Sequence, residues 1–145
     1  MSTKHLGIRD AVKSAYTGSA AVTALVASTY ITGNRDDELA SDVAADIRVL
    51  RTRSEANDPS LLHASAPIDW LTQVRTLIRA RSEANADAIA AACYAALMAD
   101  PSLGGRAAYL VPEAFEWDED QAEKAVCTVA FDIRVVHRTD SNIVT

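Results

Sequence analysis

Hydrophobic positions change their period several times along the chain, and each change marks an element. Ile8, Ala11, Val12, Ala15 and Tyr16 recur at helical spacing, so residues 4–16 read as an amphipathic helix with one apolar face. Ser2 or Thr3 stands before it as an N-cap, and Gly18 follows as a stop. Ser19 then caps a short second helix running to Val26, which should give Val22, Leu25 and Val26 to the core. Residues 28–32 read as a short strand closed by Gly33-Asn34, and Arg35 to Asp42 is polar and expected in solvent. Ala45, Ile47 and Val49 alternate with Asp46 and Arg48, which predicts a strand over 44–53.

The clearest strand is 68–79. Trp70, Thr72, Val74, Thr76 and Ile78 make its apolar, β-branched face. Leu71, Gln73, Arg75, Leu77 and Arg79 make the other face, a mixture unusual for plain solvent exposure. The stretch before it, 54–67, carries Asn57, Asp58, Pro59 and Pro67 and reads as a long loop. Leu61 and Leu62 within it need a covering surface, on the same molecule or on a neighbour.

Residues 82–98 form an Ala-rich helix with Ile89, Ala92, Cys93, Ala96 and Leu97 on one face. Ser82 or Asn85 can cap it, Asp87 suits its early turns, and Asp100-Pro101 and Gly104-Gly105 end it. Two further strands, 107–111 and 124–137, are joined by an acidic connection, and 141–145 is a tail expected to fray. The order αα-β-β-β-α-β-β predicts one α+β domain spanning 1–145. Its sheet should be mostly antiparallel, with about four to five strands and the helices on one side.

The heptapeptide Arg51–Asn57 matches Arg79–Asn85 at every position but one. The flanks differ and no third copy follows, so the match reads as two similar polar exits from strands rather than a repeat architecture.

Composition sharpens this picture at one point. The formal net charge is −6, with 14 Lys+Arg against 20 Asp+Glu. Residues 1–60 contribute 7 basic and 8 acidic groups, 61–110 contribute 4 and 4, and 111–145 contribute 3 and 8. The acidity is therefore a property of the last quarter. A chain without a basic run is a poor candidate for gripping nucleic acid phosphates. The most apolar stretch, Ala20–Val26, is too short to span a bilayer, and the start of the chain has no signal-peptide pattern. A protein assembled in the cytoplasm is the expectation.

Candidate chemistry is sparse. His5, His63 and His137 are far apart, and no Cys or His pair has metal-ligand spacing. Cys93 and Cys127 fall on apolar faces and read as small buried residues. There is no nucleophile elbow and no glycine-rich phosphate loop. No catalytic residue, metal site or cofactor is expected. The one loaded segment is an acidic cluster, Glu113, Glu116, Asp118, Glu119, Asp120 and Glu123, interleaved with Phe115 and Trp117. Carboxylates at a hairpin tip remain solvated and ionised, and such a tip could meet the Arg-bearing strand of another copy.

Several segments taken together resemble the tail-terminator proteins of long-tailed phages, the minor tail protein U group. These are Ile68-Asp-Trp70 through Arg79, the helix from Asn85 to Met98 with its Asp100-Pro-Ser-Leu-Gly104 ending, Phe115-x-Trp117-Asp118-x-Asp120, and Val129-Ala-Phe-Asp-Ile-Arg-Val135. The likeness runs from about Leu6 to His137 and lies in element order and segment character. It implies a non-enzymatic virion protein of α+β fold at the head-proximal end of the tail, forming a ring, commonly a hexamer. Such a ring caps the tail tube, stops tube polymerisation and offers a docking surface to a head-completion or connector protein. DNA would pass through its lumen without specific binding, and no membrane is involved.

On that reading Leu61, Leu62, Leu71, Arg75, Leu77, Arg79 and Arg81 are candidates for the ring or partner interface. The acidic cluster 113–123 is a candidate for contact with the lumen, a neighbour or the head. The alternatives are a neck or head-completion protein, and a small acid–base or cation-dependent hydrolase using Asp118, Asp120 and His137.

Overall fold

The computed structural model describes residues 3–33, 39, 42–56, 68–118 and 126–139. Among these, the elements are α1 (Lys4–Thr17), α2 (Ala20–Thr23), a 3-10 turn at Ser28–Tyr30, β1 (Ile31–Thr32), β2 (Ala45–Ala56), β3 (Ile68–Ala80), α3 (Glu83–Ala99), β4 (Tyr109–Asp118) and β5 (Cys127–Thr139). The strands form one sheet in the order β1-β2-β3-β5-β4. Only the two-residue β1 runs parallel to its neighbour, and the remaining pairs are antiparallel. This is the expected α+β architecture. None of the described helices is long and apolar enough to cross a membrane.

The caps fall where the sequence places them. The Thr3 hydroxyl accepts from the Leu6 N–H and opens α1, and the Ser19 hydroxyl accepts from the Val22 N–H and opens α2. Of the two candidates at α3, Ser82 is the cap, accepting from the Asn85 N–H at 3.2 Å. Ser82→Ala should therefore cost about 1 kcal/mol in a urea titration, a loss that Ser82→Asp should largely restore. Past α3, Asp100 accepts from the Ser102 hydroxyl and the Gly104 N–H. These two bonds hold its carboxyl below the usual range. Leu103, Gly104 and Gly105 all take positive φ here, and Leu103 tolerates it with its side chain buried as an anchor.

The core lies between one sheet face and the helices. Ile47 and Val49 from β2, Val74 and Ile78 from β3, and Phe131, Ile133 and Val135 from β5 meet Ile8, Val12 and Tyr16 of α1 and Ile89, Cys93 and Leu97 of α3. One polar side chain of this β3 face, Thr76, is satisfied within the layer. The Tyr16 hydroxyl bonds the Thr76 hydroxyl at 2.5 Å, and burial pushes its pKa well up. Cys93 is buried and its thiol is pushed up to about 12, so it behaves as the inert apolar residue expected. Cys127 is only half-buried.

Three expectations need correction. Leu25 is exposed, because α2 ends at Thr23 and only Val22 and Val26 turn inward. Residues 28–30 form a 3-10 turn, leaving β1 only two residues. Most consequentially, β4 extends from Tyr109 to Asp118, so much of the supposed acidic connection is strand. The aromatic residues explain this. Phe115 stands opposite Phe131 and stacks on it at 5.1 Å, and Trp117 stands opposite Val129. Pro112 is accommodated because β4 is an edge strand, with a register shift between Pro112 and Ala114. The heptapeptide match also resolves. Its first copy continues β2 to Ala56, whereas the second leaves β3 and supplies the α3 cap.

Candidate functional site: the helix-free face of the sheet

Odd-numbered residues of β3 point away from α1 and α3, and no described helix covers that face. Strand register decides what meets there. Asp46 of β2 lies directly opposite Arg79 of β3, Arg75 lies opposite Asp132 of β5, and Asp69 lies opposite Arg138. Each of these cross-strand partners forms a two-pronged ion pair. Arg79 reaches Asp46 at 3.0 and 2.6 Å, Arg75 reaches Asp132 at 2.9 Å through both nitrogens, and Arg138 reaches Asp69 at 2.7 and 3.2 Å. Arg48 adds a second cation to Asp46 at 3.5 Å.

The acidic edge strand completes the array. Glu113 pairs with Arg134 and accepts from the Gln73 amide at 2.7 Å, and Glu116 lies 3.5 Å from Arg75. Five arginines (48, 75, 79, 134 and 138) thus face five carboxylates (46, 69, 113, 116 and 132), and the ladder they form is charge-neutral. The direction of the pKa shifts agrees. The Asp132 carboxylate holds Arg75 further up, and the Arg138–Asp69 bond raises the arginine and lowers the acid. The inner rungs are buried although no described helix overlies them: Arg79 is 7% exposed and Asp132 6%.

Leu71, Arg75, Leu77 and Arg79 therefore do share one face. Arg81 lies just beyond the end of β3 and donates to the Val43 carbonyl at 3.0 Å. Leu61, Leu62, Glu119, Asp120 and Glu123 lie outside the described residues, and of Asp118 only the backbone, paired with Thr128, is described. Sequence reasoning placed the 113–116 carboxylates at a hairpin tip, free to meet arginines of another copy. They instead meet Arg134 and Arg75 of their own chain, because β4 runs alongside β5. Asp46, Asp132 and Asp69 lie on three different strands, and no local spacing links them to their arginines. The signal that could have found them is their sequence position opposite an arginine once the strands are aligned.

On the other face, at the N-terminal end of α1, sits a buried polar knot. The Thr72 hydroxyl touches Ser54 Oγ at 2.7 Å, His137 Nε2 at 2.6 Å and His5 Nδ1 at 3.2 Å. His5 packs edge-on against Trp70 and His137, and Trp70 donates to the Thr139 hydroxyl at 2.9 Å. Burial lowers the pKa of both histidines, that of His137 to about 4, with His5 and Lys4 adding to the effect on His137. His137 is 2% exposed, which removes it from the reach of a substrate. Among the described residues no three His, Cys, Asp or Glu side chains gather as a metal site.

Comparison with known proteins gives one kind of likeness. No family model and no curated protein matches the chain. Among solved structures, a chain of the virion of native gene transfer agent (GTA) particle superposes with a TM-score of 0.57 at 17% identity, covering 91% of this chain and 95% of that chain. The two chains share one fold over almost their whole lengths.

Proposed function

We propose that this protein is a virion structural subunit, and specifically a ring-forming tail terminator that caps the head-proximal end of a phage-like tail tube. The observation that carries the proposal is the end-to-end fold likeness to a chain of the gene transfer agent particle. The segment resemblance to tail terminators points the same way. The helix-free face suits the role physically. A wall past which DNA slides must not hold phosphates, and a sheet face whose described arginines are each engaged by a carboxylate presents no net positive charge there. On this reading the helix-free face lines the channel and α1 and α3 lie outside. Tube and connector then meet the two ends of the strands, and six copies close the ring. Of the residues the hydrolase alternative would use, His137 is buried, and Asp120 and the Asp118 side chain lie outside the described residues.

Size-exclusion chromatography with light scattering should give a ring-sized species, at high concentration or in the presence of tube ends. Binding to purified tail tubes should exceed binding to portal-bearing heads. The reverse preference would move the assignment to a head-completion protein, and a monomer that binds neither would overturn it.

A further inference from the structure

Two aromatic side chains on the helix side of the sheet are left without a cover. Phe115 and Trp117 of β4 stand opposite Phe131 and Val129, both core residues, so they point toward the helix layer. But α3 packs over β3 and β5, and β4 lies beyond it at the edge of the sheet. Phe115 is 39% exposed and Trp117 56%. Tyr94 of α3 comes within 5.9 Å of Phe115, and Phe115 and Trp117 stack at 6.0 Å, so the rings form a continuous row. Contiguous exposed aromatic surface of this kind marks a contact with a partner.

The row ends in a groove of about 480 Å³ between α3 and β4, lined by Glu83, Ala84, Asp87 and Trp117. Glu83 and Asp87 are the only charged residues of α3. Both are exposed, and neither has an ion pair or a side-chain hydrogen bond among the described residues. The carboxylates of the sheet's other face differ, each being held by an arginine. The helix dipole accounts for Glu83 in the first turn, but its effect fades within that turn and Asp87 lies beyond it. Like charges four residues apart on a helix also repel. A cation seated between them would turn that repulsion into attraction.

We propose that this groove docks an arginine side chain of a partner protein, its guanidinium flat on the Trp117 ring and its N–H groups on the Glu83 and Asp87 carboxylates. Trp is the best ring for a cation, and the planar guanidinium both stacks on it and forks onto carboxylates, which an ammonium does not. The charge balance favours a different protein over a second copy, because the exposed Arg53, Arg134 and Arg138 are already engaged by Glu55, Glu113 and Asp69. Pro112 and the register shift after it interrupt the β4 edge, so side chains rather than a long backbone ladder offer the grip.

The test is an NMR titration of the full chain at constant ionic strength, following the Trp117 indole N–H with that of Trp70 as the reference. The probes are a capped Leu-Arg-Leu peptide and the same peptide carrying citrulline, a neutral isostere of arginine. The arginine peptide should shift Trp117 saturably and leave Trp70 unmoved, and the citrulline peptide should bind at least about fivefold more weakly. Combining Glu83→Gln with Asp87→Asn, both at exposed positions, should weaken arginine-peptide binding about fivefold. Trp117→Leu, followed at the Ala84 amide, should weaken it about threefold. Glu55→Gln, on β2, should leave it unchanged. Equal binding of the two peptides, an unchanged affinity in the doubly substituted chain, or no saturable response would each overturn the proposal. Loss of the response as protein concentration rises would give the groove to a second copy and overturn it likewise. The groove does not depend on the terminator role: a protein that binds the arginine peptide yet neither closes a ring nor caps tubes would remove that role and leave this site standing.

Discussion

Asp46→Ala is expected to destabilise the protein by about 3–5 kcal/mol, the cost of breaking a buried ion pair by removing one partner. The carboxylate serves two guanidinium groups, at 2.6 Å from Arg79 and 3.5 Å from Arg48. All three side chains are largely withdrawn from water on a face that no described helix covers. Desolvating such charges is costly, and only their mutual geometry offsets it. Urea titration of wild type and variant would measure the loss. Replacing Asp46 by Leu and Arg79 by Met together should recover part of it, because the pair is then removed rather than broken. Glu55→Ala is the internal control. Its pair with Arg53 is exposed, so the expected change is below about 1 kcal/mol. If Asp46→Ala were as mild as Glu55→Ala, the sheet face would be a solvated surface and the buried ladder a misreading.

Acidification is expected to weaken the fold well above the range in which carboxylates titrate. His137 has its pKa lowered from 6.5 to about 4 by burial, and that of His5 is lowered in the same direction. The unfolded chain therefore binds more protons than the folded one between these values, so stability falls as pH drops. The contribution of His137 is complete above pH 6.5 and is lost progressively toward pH 4. Its ceiling is about 3.5 kcal/mol, at roughly 1.4 kcal/mol per pH unit between those two values. Asp69 and Asp100, whose pKa values are depressed, add their losses only at lower pH. Denaturant titrations at several pH values should show this slope in the wild type and a flatter one in His137→Gln. The comparison of slopes is the test, because the variant also loses a bond to Thr72 and is less stable throughout. Equal slopes would mean that His137 is not the titrating group.

The sequence was most informative where one period held over many residues. The α1 face of Ile8, Val12 and Tyr16, the alternation of β3 and the α3 face of Ile89, Cys93 and Leu97 all sit in the core as their spacing demands. It was least informative where two signals competed. In β4 the carboxylates, Pro112 and the register shift mask a period-two pattern that only Phe115 and Trp117 carry. The aromatic pairing with Phe131 is long-range, and nothing local announces it. The ion-pair ladder was half legible for a similar reason. Arg75 and Arg79 stood out on their strand, but their partners Asp132 and Asp46 belong to other strands and become visible only through register. The histidines were read as isolated because 132 positions separate His5 from His137. Yet the fold brings their rings to 5.1 Å, with Thr72 between their nitrogens.

The role proposed for this chain rests on the fold it shares with a virion chain, and it suits the geometry: among the described residues one sheet face is bare of helices and balanced in charge, the other covered. Its most direct test is electron microscopy of the purified protein mixed with tail tubes of the same particle. The prediction is a closed ring with an open channel, seated at one end of each tube, and tubes that stop lengthening once it is bound. Tubes that continue to grow with bare ends, beside a protein that remains single subunits, would contradict it.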